Sequence, residues 1–107
     1  MDPVPGEDPA VTARIKAFAV PLLAGHVDRS QMGDGLNSKV SDAMVATVSS
    51  QLAAFGTPTW VYRGKLDRPE GPVYTYFLKY PVLMLKLVVQ IDSASNKFSS
   101  FGITPQQ

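Results

Sequence analysis

The sequence predicts an α+β domain in which N-terminal helices pack on a curved four-stranded antiparallel sheet. Two observations lead to this class. Residues 9–55 carry apolar side chains at helical spacing, whereas residues 59–103 carry four β-prone runs separated by turn-forming segments. Because short loops join the runs, we expect an antiparallel meander with one face covered by the helices.

Length and charge limit the classes of function. The chain of 107 residues is interpreted as a flexible lead-in, residues 1–8, and a single domain, residues 9–105. A net charge of +1 predicts no nucleic-acid partner. No apolar run reaches the roughly 20 residues of a membrane span, so no membrane insertion is expected. Residues 1–9 lack a signal-peptide pattern, so the compartment stays open: extracytoplasmic if such a peptide was removed, otherwise cytoplasmic.

The first helix is expected to begin at Asp8-Pro9, because Asp8 can accept an amide hydrogen bond and Pro9 needs none at that position. Its apolar stripe runs to a glycine stop at Gly25. Pro21 is expected to kink the helix or to weaken its last turns, since proline removes a helical hydrogen bond. Asp28 is the predicted cap of a short helix that follows the first one and runs through Met32.

A second, longer helix is predicted over residues 38–55, after a loop at residues 32–35 and before a stop at Gly56. Its periodicity indicates one buried stripe. The stripe consists of Val40, Met44, Val45, Val48, Leu52 and Phe55.

The predicted strands cover residues 59–66, 73–80, 82–92 and 98–103. The second and third are expected to reverse at Tyr80-Pro81, where a proline after an aromatic residue would suit a cis bond. That reversal pairs Leu78 with Leu83 and places both on the face that the helices cover. On the same alternation, Trp60, Tyr62 and Leu66 share one side of the first strand.

The order of elements resembles the cystatin-like, nuclear-transport-factor-2-like superfamily. The stretches that carry the likeness are LLAGHVD in residues 17–28, LAAFGTP at residues 52–58, and LMLKLVVQID followed by KFSSFGITP in residues 83–105. More narrowly, the chain is similar to a small uncharacterised bacterial domain found alone or beside extracytoplasmic hydrolases. The resemblance implies a cystatin-like cone, in which the curved sheet wraps a helix.

Some relatives in this superfamily are isomerases and dehydratases, so the resemblance also makes a small lyase or isomerase conceivable. The candidate bases are His26 and Asp28, with tyrosine hydroxyls as donors. We favour structural roles for both: His26 lies at the carboxyl end of the first helix and Asp28 suits a cap. With one histidine and no cysteine, neither a metal site nor another cofactor is expected.

Aromatic side chains are concentrated on the first two strands. Trp60, Tyr62, Tyr74 and Tyr76 either fill the core or line the mouth of an apolar ligand pocket. The opposite sheet face is also apolar, which is common at association sites. Its candidate interface residues are Val73, Thr75, Phe77, Met84, Lys86 and Val88. The leading hypothesis is therefore a non-catalytic accessory or binding domain that takes a small apolar ligand, a partner or a second copy through the sheet.

Overall fold

The computed structural model describes residues 4–106 and has the predicted α+β architecture. The helices are α1 (Pro9–Leu23), α2 (Asp34–Lys39) and α3 (Asp42–Leu52), with short 3-10 turns at Arg29–Gln31 and Ala53–Phe55. The strands are β1 (Thr59–Leu66), β2 (Val73–Lys79), β3 (Met84–Ile91) and β4 (Phe98–Gln106). They form one antiparallel sheet in the order β1-β2-β3-β4, so the fold class predicted from the sequence is confirmed.

Helix α1 begins and ends as its sequence dictates. The Asp8 carboxylate accepts a hydrogen bond of 3.0 Å from the Ala10 amide, and Pro9 occupies the first helical position. Pro21 lies inside the last turn without ending the helix, which continues to Leu23. Gly25 follows with a φ of 97°, so the predicted stop is confirmed.

The predicted single helix over residues 38–55 is wrong, because the chain forms two helices there. Helix α2 begins at Asp34, inside the segment predicted as a loop, and α3 restarts after Val40. The Ser41 hydroxyl accepts a hydrogen bond of 3.1 Å from the Met44 amide and thereby caps α3. Within the predicted stripe Val45 is buried, but Met44 is 50% exposed.

The β2–β3 hairpin keeps the predicted faces but not the predicted partners. Leu78 pairs with Leu85 and Tyr76 with Leu87, two residues further along β3 than expected. The described peptide bonds are all trans, so the cis bond suggested at Pro81 is absent. A two-residue hairpin turn usually needs positive φ, which proline cannot adopt, and the loop lengthens to residues 80–83. A shift of two preserves the alternation, so the same side chains face the helices.

Two irregularities bend the sheet. One lies between Tyr62 and Gly64 in β1, and the other follows Gln90 in β3. Gly64 has a φ of 136°, a conformation that favours glycine at a bulge. The extra residue moves Leu66 to the face opposite Trp60 and Tyr62, so its predicted position with them is wrong. The bent sheet is compatible with the expected cone.

The core lies between the helices and one sheet face, called here the inner face. Phe18 of α1 stacks on Phe98 of β4 with ring centroids 4.4 Å apart. The main buried side chains from the helices and the sheet are Ile15, Phe18, Ala19, Leu22, Tyr76, Leu78, Leu87, Val89 and Phe98. Residues of the lead-in also contact the domain, since the Val4 amide donates to the Tyr62 carbonyl at 3.1 Å.

Candidate functional site

A groove with a volume of about 540 Å³ lies where the end of α1, helix α3 and the start of β1 converge. Such a volume is within the range of small-molecule sites. Apolar side chains predominate in its lining, which the helices supply from one side and the sheet from the other. Its main apolar lining residues are Val20, Leu23, Leu52, Pro58, Trp60 and Tyr80. We call this cavity the end groove.

Trp60 connects the end groove to the core. Its ring meets the Tyr76 ring edge-on at 5.4 Å, and the Lys16 ammonium lies 5.7 Å from its centroid. The half-buried indole is therefore held on one side by a buried aromatic residue and lies beside a cation. Trp60 is the single tryptophan of the chain, so its fluorescence reports on the groove.

Tyr80 provides a polar group beside the apolar wall. It is buried, and its ring contacts Phe55 at 6.2 Å between centroids. Burial raises the pKa of the Tyr80 hydroxyl, because the phenolate would be poorly solvated there. The hydroxyl therefore stays protonated at neutral pH and remains a hydrogen-bond donor. Ser50 and Thr57 contribute further hydroxyl-bearing side chains to the lining.

The other predicted pocket residues lie elsewhere. Tyr62 and Tyr76 are buried in the core with ring centroids 5.6 Å apart. The Tyr76 hydroxyl is 2.8 Å from Thr12 Oγ1, which in turn donates to a Glu7 carboxylate oxygen at 2.8 Å. Burial raises the pKa of Tyr76, although the hydrogen bond to Thr12 partly opposes that shift. Tyr74 lines a separate, smaller groove.

The candidate bases of the enzyme hypothesis are not brought together with these tyrosines. His26 is exposed after the end of α1 and does not line the end groove. The Asp28 carboxylate accepts a hydrogen bond of 3.1 Å from the Ser30 amide, which is the predicted capping role. Within residues 4–106, no group of three or more histidine or carboxylate side chains is arranged to hold a metal ion.

The six predicted interface residues share the sheet face opposite the inner face. Strand β2 contributes Val73, Thr75 and Phe77, and strand β3 contributes Met84, Lys86 and Val88. All six are half-buried. Their buried neighbours on each strand are the ones that contact the helices, so these six point away from the helical layer. We call this surface the outer face.

No family model, curated protein or solved structure matches this chain. The resemblance to the cystatin-like superfamily therefore stays a prediction.

Sequence reasoning identified Trp60 but missed most of the residues around it. The sequence predicts Tyr80 at the strand reversal and gives Val20 no role, and only the folded chain brings both into one groove. The apolar periodicity of α1 gave no signal for Val20, which follows the buried Ala19 and is 53% exposed.

Within residues 4–106, no helix has both the length and the apolar character needed to cross a membrane.

Proposed function

We propose that this protein is a non-catalytic binding domain of the cystatin-like, nuclear-transport-factor-2-like type, and that the end groove takes a small apolar ligand. The observation that carries the proposal is the half-buried Trp60 in the lining of an apolar groove of about 540 Å³. Aliphatic walls supply affinity through buried area, and the neutral Tyr80 hydroxyl supplies one directional contact.

The same geometry gives little support to a lyase or isomerase. Acid–base catalysis needs a base within hydrogen-bond reach of the substrate. In the end groove the titratable side chain is Tyr80, whose raised pKa makes it a poor base at neutral pH. A binding role uses the groove as it is, without a proton acceptor.

The outer face supplies a second surface, for association with a protein partner or another copy. Its half-buried apolar side chains resemble association sites more than a solvated sheet surface. It is separated from the end groove by the thickness of the sheet, so ligand binding and association are independent hypotheses.

The ligand hypothesis is tested by titrating Trp60 fluorescence with a series of linear alkanols of increasing chain length. We expect a saturable change whose affinity rises with each added methylene, by roughly 0.8 kcal/mol while the chain still fits the groove. Val20→Asp should weaken binding at least about tenfold, because it places a charge in the apolar wall.

Val82→Asp is the matched control. Val82 is 75% exposed and lies in the β2–β3 loop outside the groove, so this variant should bind like the wild type. Thermal unfolding of both variants checks that they are folded. The hypothesis fails if no alkanol gives a saturable signal, or if the two variants lose affinity equally.

A further inference from the structure

The outer face has a charge pattern that the proposed association surface does not by itself explain. Phe77 lies near its centre, paired with Val61 on β1 and with Lys86 on β3. The Arg63 guanidinium lies 5.3 Å from the centroid of the Phe77 ring. Lys79 follows two residues later on the same face of β2. Three cationic side chains therefore share this sheet face with the Phe77 ring.

The four strands contain no acidic residue. Their charged residues are Arg63, Lys65, Lys79 and Lys86, whereas every carboxylate of residues 4–106 lies before, between or after the strands. Within that range, neither Lys79 nor Lys86 forms an ion pair. Lys86 is half-buried between Met84 and Val88 on this face, where its aliphatic stem can cover apolar surface while its ammonium stays in water.

We infer that the outer face binds an acidic, apolar protein segment, one that covers Phe77 and Met84 and places carboxylates beside Lys86 and Lys79. This inference rests on the proposed association surface and adds the chemical character of the partner that the surface would bind. Apolar contact supplies the area, while the carboxylates complement cations that otherwise lose solvation when the face is covered.

A second copy of the chain fits this face poorly. A twofold interface uses the same surface on both copies, so it would bury Lys79 and Lys86 of each copy in one shared contact. Like charges across an interface are strongly unfavourable, and the strands contain no carboxylate to offset them.

An anionic membrane surface is also less suitable. Juxtamembrane lipid recognition typically uses about four to eight clustered cations, more than this face contains. Asp67 and Glu70 lie in the loop that joins β1 and β2, at one end of the face, where they would approach a charged bilayer. A protein segment can avoid that loop by covering only the centre.

The test uses three synthetic cyclic hairpin peptides that share one alternating apolar face. They differ only at two positions within that face, which hold Glu, Gln or Lys. Binding is measured by fluorescence anisotropy, and the contact surface is mapped by amide chemical shifts. We expect the Glu peptide to shift amides of β2 and β3 on the outer face and to bind at least about tenfold more tightly than the Gln peptide. The Lys peptide should not bind.

Charge reversal in the protein supplies the matched comparison. The Lys86→Glu variant should no longer bind the Glu peptide and should bind the Lys peptide instead. Lys97→Glu makes the same change in charge on the exposed β3–β4 loop and should leave both results as in the wild type. An unfolded variant would bind neither peptide. A switch from the Glu peptide to the Lys peptide that occurs only in Lys86→Glu therefore cannot result from a loss of folding.

Each contrary result has a defined meaning. Equal binding of the Glu and Gln peptides contradicts the inference that the partner is acidic, but it is consistent with the outer face as an association surface. Absence of outer-face shifts with all three peptides overturns both. A wild-type dimer that Phe77→Ser dissociates overturns the inference in favour of a second copy. Tight binding to phosphatidylserine vesicles that Lys86→Glu abolishes overturns it in favour of a membrane.

Discussion

At the scale of single residues, backbone geometry constrains Gly71 more strongly than its position before β2 suggests. Its φ is 143°, and a Cβ placed there would lie 1.9 Å from the Ile91 carbonyl oxygen. The Gly71 carbonyl also accepts a hydrogen bond of 3.1 Å from the Gln90 side-chain amide. The β1–β2 loop therefore lies directly on the end of β3, with no room for a side chain.

Gly71→Ala should lower the free energy of unfolding by about 3 kcal/mol, because it adds both backbone strain and a clash with the chain at Ile91. Urea denaturation measures the loss. Gly102→Ala is the control, since nothing lies within 4 Å of a Cβ at that position and φ is not positive. If the two variants prove equally stable, the close approach of Gly71 to β3 is incorrect.

At the scale of elements, the break between α2 and α3 shows how local hydrogen bonds override a helical pattern. Arg29 donates to the Asn37 side chain, the Val40 carbonyl and the Asp42 carboxylate at 2.6–2.9 Å. These bonds fix the extended residues between the two helices. Ser41 then caps α3, which the apolar periodicity alone did not indicate.

Ser41→Ala should destabilise the protein by about 1 kcal/mol, because the Met44 amide loses the hydroxyl that caps it. Ser50→Ala makes the same chemical change within α3, where alanine is the better helix former, and should cost little. Thermal unfolding of both variants compares the two. An equal loss would show that the cap adds nothing to the stability of α3.

At the scale of the whole molecule, charge is divided by element type. The net charge is only +1, yet the strands carry cations alone and the carboxylates lie in the lead-in, helices and loops. The small net charge of the chain therefore does not reveal that the charged residues of the sheet are all cationic. Lys86 should therefore weaken a homodimer through the apolar outer face, because the interface would bury cations of both copies without carboxylates from the strands.

Lys86→Met should promote self-association, because it removes the central cation of the outer face and extends the apolar surface around Phe77. In sedimentation velocity over a concentration series, the wild type should remain at 11.6 kDa, while this variant should shift toward twice that mass. Lys97→Met, in an exposed loop, should behave like the wild type. A wild-type dimer would contradict the electrostatic argument.

The sequence by itself determined the α+β class, the capped start of α1, the four strands and the division of side chains between the two faces of β2 and β3. These features depend on local hydrogen bonding and on periodicity, which are written into neighbouring residues. Even the β2–β3 register error left the faces intact, because a shift of two preserves the alternation.

Only the tertiary structure decided where α2 ends, how Gly64 turns Leu66 to the other face, and which residues surround Trp60. These features depend on groups distant in the chain: Arg29 pairs with Asp42, β1 changes register against β2, and Val20 and Tyr80 line the same groove. Such contacts form because the whole chain packs, and no local pattern encodes them. The candidate site is therefore largely a product of the fold, whereas the surface proposed for a partner could be read from strand alternation.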